Sequence, residues 1–189
     1  MESLIKISRI SEGTCGLLVI DLQEKFVPVI RNWDSILAAS VRLVRFFRLL
    51  RMPIVVTEQY PKKLGSTVPE LQKALAGEEW IANAKTCFSS CGNDELKHLL
   101  RTQQRRQWVL CGIEAHVCVQ QTAFDLLEEE YEVFLAVDAI GSRHAIDCEI
   151  ALKRIAQVGG VLSTTETLFF EILRDAKHPL FKEASVLIK

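Results

Sequence analysis

Short apolar runs alternate with longer amphipathic stretches along the whole chain. The short runs are rich in β-branched residues and are apolar nearly throughout, which is typical of parallel strands buried on both faces. We therefore predict six parallel strands. They are expected at residues 15–22, 53–59, 79–85, 107–113, 131–138 and 159–165.

The longer stretches repeat their apolar residues with the period of a helix. In the first of them, residues 33–51, one stripe is apolar and arginines occupy the opposite face. Gly159 is expected to end one helix, and Thr165 to cap the start of the last one. The alternation predicts an α/β fold of βαβ units, with helices on both faces of a parallel sheet. The predicted helices cover residues 33–51, 93–105, 115–130, 148–159 and 165–175.

Composition and charge narrow the class of protein. The 189 residues contain no repeat or linker, so we expect a single domain over residues 1–189. Hydrophobic residues make up 49% of the chain and charged residues 25%, as in ordinary globular domains. The formal net charge of −1 gives no overall field that attracts nucleic acid or anionic membranes. No stretch approaches the roughly 20 apolar residues of a membrane span. We therefore expect neither a membrane partner nor a nucleic-acid partner.

The six cysteines bear on the compartment in which the protein works. They show no framework spacing, and the chain does not start like a signal peptide, so we expect free thiols in the cytoplasm. Lys6 and Arg9 leave a mitochondrial presequence open, although Glu2 and Glu12 argue against it. The cysteines are Cys15, Cys87, Cys91, Cys111, Cys118 and Cys148.

Three chemically capable residues are expected at one edge of the predicted sheet. Asp21 follows the first strand, Lys85 ends the third, and the loop after the fourth leads to Cys118. Ligands of open α/β sheets bind beyond the carboxyl ends of the strands. A helix start and an ammonium group both favour a thiolate, and a carboxylate can take the thiol proton. The backbone N–H groups of Glu114 and Cys118 are candidates to hold an oxyanion.

Each of these residues also has a purely structural interpretation. Cys118 fits a buried core position on an amphipathic helix, Asp21 a turn or helix cap, and Lys85 a solvated strand end. Their expected proximity is what favours a catalytic site. Residue types and spacing alone leave both interpretations open.

Four stretches of the sequence carry a resemblance to a known family. They are "LLVIDLQEKF", "ANAKTCFS", "GIEAHVCVQQTAFDL" and "VFLAVDAIGSR", in this order between residue 17 and about residue 143. Here the chain resembles the isochorismatase-like cysteine hydrolases, and most closely their isochorismatase domain-containing subgroup. The resemblance implies a three-layer α/β/α sandwich whose six-stranded parallel sheet has the order 3-2-1-4-5-6.

The resemblance also implies a site and a chemistry. The catalytic triad falls on Asp21, Lys85 and Cys118, in agreement with the selection made from the strand ends. A cis peptide bond is expected between Ile113 and Glu114, with the amides of Glu114 and Cys118 turned toward one oxygen. The implied activity is hydrolysis of a small amide, carbamate or related C–N bond through a cysteine thioester.

The departures from the family pattern concern the metal and the pocket. Metal-dependent members carry an Asp-x-His motif after the second strand, where this chain has "TEQYPKKLGSTVPEL" without histidine. We therefore expect no metal and no cofactor, and we expect none at Cys87, Cys91 and His98, which have no apparent fourth ligand. "AHV" replaces the usual Thr-Asp before the nucleophile, so His116 either faces the substrate or has a surface or capping role. The substrate-pocket candidates are Phe26, Gln23, Tyr60 and His116.

Other functions and the state of assembly stay open at the level of sequence. A vinyl-ether hydrolase of the isochorismatase type needs no cysteine nucleophile, and a non-catalytic binding or scaffold protein would need no open pocket. A nuclease is a weaker alternative, given the near-neutral charge. We expect a small-molecule substrate and a homo-oligomer, dimeric or larger. The apolar tail 178–189 is either a contact in that assembly or packs on its own domain.

Overall fold

One parallel sheet organises the chain. The computed structural model describes residues 8–77 and 80–188. Six strands form the sheet in the order β3-β2-β1-β4-β5-β6, with every neighbouring pair parallel. This confirms the strand order that the family resemblance implies. The strands are β1 Cys15–Ile20, β2 Ile54–Gln59, β3 Ala82–Lys85, β4 Gln107–Ile113, β5 Glu132–Gly141 and β6 Val161–Ser163.

Helices follow the strands and cover both faces of the sheet. The bounds agree with the predicted helices to within a few residues, except that the region 115–130 divides into a π-helical turn, Ala115–Val119, and a shorter α-helix. The last predicted helix is capped by Thr164 rather than Thr165, because the Thr164 hydroxyl accepts from the Thr167 N–H. The helices are α1 Trp33–Leu49, α2 Pro61–Leu64, α3 Pro69–Leu75, α4 Asp94–Thr102, α5 Gln120–Glu128, α6 Ala145–Gln157, α7 Thr165–Leu173 and α8 Phe181–Val186.

Four predicted strands differ in length from the observed ones by two residues or more. β3 is Ala82–Lys85 instead of 79–85; Ile81 precedes it and is 77% exposed, because this strand lies at the sheet edge. Glu79 lies outside the described residues. β5 runs on to Gly141, past the predicted end at residue 138, whereas β1 ends at Ile20 instead of residue 22 and β6 is Val161–Ser163 instead of 159–165. The apolar pattern therefore located these strands but not their ends.

The central strands are apolar on both faces because each face has its own core. In β1, Leu17 and Val19 belong to one core, while Leu18 and Ile20 belong to the other. All six residues of β1 are buried. Full burial of one such side chain stabilises the fold by about 1.5–3 kcal/mol, so both cores contribute to holding the central strands.

The chain end packs on the first core, which also contains α1, α3 and α7. Phe46 of α1 stacks on Phe169 of α7 with ring centroids 3.8 Å apart. Ala184 of α8 is fully buried, and Leu180 and Phe181 pack beside it. The structure therefore places the tail 178–188 on its own domain, which was one of the two alternatives.

In the described part of the chain, no helix is long and apolar enough to cross a membrane. Lys6 and Glu2, which bear on the presequence alternative, lie outside this part.

A close backbone contact joins β1 and β4 at their carboxyl ends. Gly112 has φ +118°, and a Cβ atom built on it would lie 2.0 Å from the Ile20 carbonyl oxygen. Only glycine has both the conformational freedom and the absence of a side chain that this position requires. The approach brings the residue after β1, Asp21, toward the segment after β4, which contains Glu114.

Candidate active site

Asp21 is the first residue of the site along the chain, and its backbone conformation is unusual. It follows β1 directly, is fully buried, and has φ +54°, in the left-handed region that non-glycine residues rarely adopt. Its N–H group donates to the Thr57 carbonyl at 3.2 Å. Such a conformation costs of the order of 1 kcal/mol or more and occurs preferentially at functional sites.

Asp21 and Lys85 form a fully buried ion pair. The Lys85 Nζ atom lies 2.7 Å from Asp21 Oδ2, and the Thr57 hydroxyl donates to Asp21 Oδ1 at 2.7 Å. Lys85 also donates to Gln59 Oε1 at 2.8 Å and to the Phe88 carbonyl at 2.9 Å. The ammonium group thus has an acceptor for each of its three hydrogens, and each carboxylate oxygen has a donor. Because all of these groups have hydrogen-bond partners, the protein can hold the two charges away from water.

The register of β2 explains why two of its polar residues reach this pair. Thr57 lies beside Ile20 of β1, and Gln59 lies beside Lys85 of β3. Residues two apart on a strand project to the same face, so Thr57 and Gln59 act together. Neither residue was predicted from the sequence, although the uncommon polar triplet at the end of "IVVTEQ" was a signal for them.

Cys118 lies in the π-helical turn that follows β4. The N–H groups of Val117 and Val119, its two neighbours, both donate to the Glu114 carbonyl, at 3.0 and 3.2 Å. The Cys118 side chain is buried, with 6% of the residue exposed, and it interacts electrostatically with Asp21 and Lys85. The structure therefore brings an acid, an amine and a thiol to one place.

The Cys118 thiol is protonated at neutral pH. Burial, and to a lesser extent the Asp21 carboxylate, raise its pKa to about 12, and the Lys85 ammonium only partly offsets them. The ammonium thus favours the thiolate, but desolvation is the larger effect. A thiol in this state needs a base at the moment of attack, and Asp21 is next to it.

A raised pKa does not by itself distinguish Cys118 from the other buried cysteines. Burial also raises the pKa values of Cys15, Cys91 and Cys111 to about 12. Charges of both signs also act on Cys15 and Cys91. What distinguishes Cys118 is that the carboxylate and the ammonium that act on it, Asp21 and Lys85, form a fully buried ion pair. In residues 8–77 and 80–188, no group of three His, Cys, Asp or Glu side chains is arranged to hold a metal ion.

A second ion pair lies at the peptide that precedes the turn with Cys118. The Ile113–Glu114 peptide bond is cis, as the resemblance implies. The Glu114 carboxylate accepts from Arg143 Nε at 3.1 Å, from Arg143 Nη2 at 2.9 Å and from the Arg143 N–H at 3.2 Å. Burial acts to raise the pKa of Glu114, but these bonds outweigh it and hold the pKa below its usual value. Arg143 was not predicted from the sequence, although it is the last residue of the fourth matching stretch.

His116 is tied to the loop after β5. Its Nδ1 atom lies 3.0 Å from the Ser142 hydroxyl oxygen, and its Nε2 atom lies 4.0 Å from Asp147 Oδ2. Ser142 is buried, whereas about a third of the His116 side chain is exposed. One ring nitrogen is therefore engaged within the chain and the ring is partly exposed, which fits the surface or capping alternative.

Gln23 does not have a free amide to offer to a substrate. It is fully buried, and its Nε2 atom donates to the carbonyls of Gln59, at 3.1 Å, and Gly65, at 2.7 Å. Its Oε1 atom accepts from the Gln59 N–H at 2.8 Å. We therefore correct its assignment as a pocket residue: one amide hydrogen is donated to the end of β2 and the other to the residue after α2.

The two aromatic pocket candidates differ in exposure. Phe26 is partly buried and packs against the first core. Tyr60 is 42% exposed, and its N–H group donates to the Lys85 carbonyl at 2.8 Å. Phe88, whose carbonyl receives the Lys85 ammonium, is 52% exposed. Tyr60 and Phe88 thus flank the lysine from the two loops that follow β2 and β3.

Comparisons with known proteins identify the family. The Isochorismatase domain model matches residues 15–167. "Isochorismatase domain-containing protein 2" of Danio rerio is 41% identical over 182 residues, which cover 96% of this chain and 90% of that protein.

Solved structures are similar over almost the whole chain. The "MAR1 Ribonuclease" of Caenorhabditis elegans is 42% identical, with a TM-score of 0.91 and coverage of 96% of this chain and 92% of the other. The YcaC gene product of Escherichia coli, described as an octameric hydrolase of unknown specificity, is 22% identical, with a TM-score of 0.89 and coverage of 97% and 90%. The latter likeness concerns the fold alone. The chain belongs to the isochorismatase family.

Proposed function

We propose that the protein is a cysteine hydrolase that cleaves a small amide, carbamate or related C–N bond through a thioester on Cys118. The observation that carries this proposal is the buried Asp21–Lys85 pair acting on the Cys118 thiol. A thiol with a pKa of about 12 is a poor nucleophile alone, and a carboxylate at its side supplies the missing base.

In the first half of the reaction, Cys118 attacks the substrate carbonyl. The thiol proton passes to Asp21 while the S–C bond forms and negative charge develops on the carbonyl oxygen. The N–H groups of Glu114 and Cys118 receive that oxygen; each such donor contributes roughly 2.7–4 kcal/mol in other enzymes. Lys85 stays fixed by Gln59 and Phe88 and stabilises the anionic groups around it.

Asp21 also transfers the protons in the second half of the reaction, first to the leaving group and then from the water. Asp21 returns its proton to the nitrogen as the C–N bond breaks, and the amine departs. A water molecule attacks the thioester and gives a proton to Asp21. That proton goes to the Cys118 sulfur as the C–S bond breaks, which restores the thiol and releases the acid.

The experiment is an ammonia-release screen of small amides, carbamates and ureides. We expect turnover by the wild type and at least a thousandfold loss in Cys118→Ala, with Cys118→Ser as a matched variant of similar shape. Acid quenching followed by mass spectrometry should show an acyl adduct on the Cys118 peptide. Wild-type turnover by Cys118→Ala would exclude the covalent mechanism, and turnover of a vinyl ether without an adduct would favour the isochorismatase-type reaction.

A second candidate function, RNA cleavage, follows from the name of the C. elegans relative. The test is incubation of the purified protein and of Cys118→Ala with end-labelled RNA. Cleavage that Cys118→Ala lacks would support this function. The burial of Asp21 and Lys85 argues against it, because an RNA backbone is a polyanion that must reach the reacting groups.

We also propose that the protein forms a homo-oligomer. Ile146 and Ile150, one turn apart on α6, are 59% and 46% exposed, and an apolar pair of this kind favours a protein contact. The E. coli relative is described as octameric. Light scattering after size exclusion should give a mass above the 21.4 kDa of one chain, and Ile146→Glu/Ile150→Glu should reduce it.

A further inference from the structure

The charges around Cys118 are paired within the protein, and this bears on the substrate. We infer that the site takes an uncharged amide and rejects substrates that carry a carboxylate next to the scissile bond. The inference rests on the proposed function, because it concerns what reaches the Cys118 sulfur. It goes beyond that function by naming the charge of the substrate.

The nearest cation has no hydrogen left for an anionic substrate. Lys85 directs its three hydrogens to Asp21, Gln59 and the Phe88 carbonyl, at 2.7, 2.8 and 2.9 Å. To bind a substrate carboxylate it would have to give up one of these buried partners. The Asp21–Lys85 pair therefore carries no net charge, and it cannot balance the negative charge of a substrate carboxylate.

The next charged groups follow the same pattern. Arg143 directs Nε and Nη2 to the Glu114 carboxylate, so this pair is also internally neutral. Glu58 lies between Thr57 and Gln59 on β2, so its side chain projects to the opposite face of the sheet, where it accepts from the N–H and hydroxyl groups of Thr67 at 2.7 and 2.8 Å. The charged side chains nearest to Cys118 are therefore two ion pairs, and neither contains a cation without a carboxylate partner.

Two half-exposed aromatic residues and an exposed lysine lie in the chain segments beside Lys85. Tyr60 and Phe88, half exposed on the loops after β2 and β3, flank Lys85. The Lys63 ammonium lies 5.5 Å from the centre of the Tyr60 ring. Lys63 is exposed, so solvent and salt screen its attraction for an anion.

Desolvation then decides between substrates of equal size. A carboxylate that leaves water for a buried place without a counter-charge loses its hydration with nothing to replace it. A neutral amide loses less, and its carbonyl and nitrogen fit hydrogen-bonding groups without a net charge. Specificity of this kind arises because binding of the wrong ligand has a free-energy cost that binding of the right one lacks.

Iodoacetamide and iodoacetate are a matched pair of probes for this inference. Both have nearly the same shape, and in both the Cys118 sulfur forms an S–C bond as the C–I bond breaks and iodide leaves, with the thiol proton going to Asp21 and then to solvent. Both consume the same thiolate, so the ratio of their rate constants does not depend on the thiol pKa. The ratio is measured at the Cys118 peptide by mass spectrometry and divided by the ratio for glutathione.

In the wild type we expect this normalised ratio to favour iodoacetamide by more than about tenfold. Asp21→Asn keeps the size of the side chain and leaves the Lys85 ammonium without a carboxylate, so the ratio should fall toward one or below. Lys85→Gln should raise it. Lys63→Gln, a matched change at an exposed lysine, should leave it unchanged.

Three results would overturn the inference. A wild-type ratio near one, or below it, would show that the site accepts an anion, while labelling of Cys118 would still support its role as nucleophile. A clear change in Lys63→Gln would assign the selectivity to the exposed lysine. Failure of both reagents to reach Cys118 in the folded protein would show that the site does not admit even a neutral amide. The ammonia-release screen tests the proposed function separately from all three.

Discussion

Two ion pairs lie at the carboxyl edge of the sheet, and they differ in their contact with water. Asp21–Lys85 is buried at both ends, and its partners Thr57, Gln59 and Phe88 belong to the protein. Glu114–Arg143 has a buried carboxylate but a guanidinium side chain that is 51% exposed. If one partner is removed, water can reach the second pair but not the first. The buried pair is therefore the more costly to disrupt, although both have short contacts.

The largest effect is expected from Lys85→Met, which leaves the Asp21 carboxylate buried without a counter-charge. The free energy of unfolding should fall by about 3–5 kcal/mol, measured by urea denaturation at pH 7. Lys62→Met, at an exposed position, is the matched control and should change it by less than about 0.5 kcal/mol. Asp21→Leu/Lys85→Met, without either charge, should recover much of the loss. Equal losses in the single and double variants would contradict this account.

A smaller effect is expected from Thr57→Val, which keeps the shape of the side chain and removes the donor to Asp21 Oδ1. A hydrogen bond to a charged group contributes about 1.5–3 kcal/mol, so the unfolding free energy should fall by that amount. Thr57→Ser keeps the hydroxyl and should lose less. If Thr57→Val and Thr57→Ser were equally destabilised, packing rather than the hydrogen bond would be the cause.

Arg143→Ala should have the smallest effect on stability at neutral pH. Water replaces the exposed guanidinium, so we expect a loss of about 1 kcal/mol in the same denaturation experiment. A loss as large as that of Lys85→Met would contradict the claim that the buried pair is the more costly to disrupt.

The Arg143→Ala effect should also depend on pH. The pKa of Glu114 is lower in the folded protein than in the unfolded chain, so the pair stabilises the fold above the unfolded pKa and loses this contribution as pH falls through the folded pKa. The difference between wild type and Arg143→Ala should therefore be largest near pH 7 and disappear in acid. Denaturation of both proteins at pH 7, 5 and 3.5 measures it. A difference that grows toward acid would contradict the assignment.

The sequence located the main elements and the central site residues, and the reason is local. Asp21 and Lys85 are polar residues directly after apolar runs, and parallel strands bring their carboxyl ends to one edge. The order of the strands came from the family resemblance. Cys118 was selected by the same two arguments. The size of the rise in its pKa could not be predicted, because it depends on the sum of burial and charge in three dimensions.

The supporting residues could not be assigned because they depend on strand register. Thr57 reaches Asp21 only because it lies beside Ile20, and Gln59 reaches Lys85 because the two are paired in neighbouring strands. A one-residue shift would send both side chains to the other face. Gln23 was misassigned for a related reason: its amide contacts the backbone of residues about 40 positions away.

The π-helical turn Ala115–Val119 limits which insertions and deletions this part of the chain can tolerate. Such a turn contains one more residue than the same arc of α-helix, and each residue of an α-helix advances by about 100° around the axis. A single deletion there would rotate Cys118 away from Asp21 while α5 kept its apolar face. Surface loops of the molecule can change in length with little penalty. This turn instead works as a spacer whose length sets the direction of the sulfur, so insertions and deletions there should be far less tolerated than substitutions.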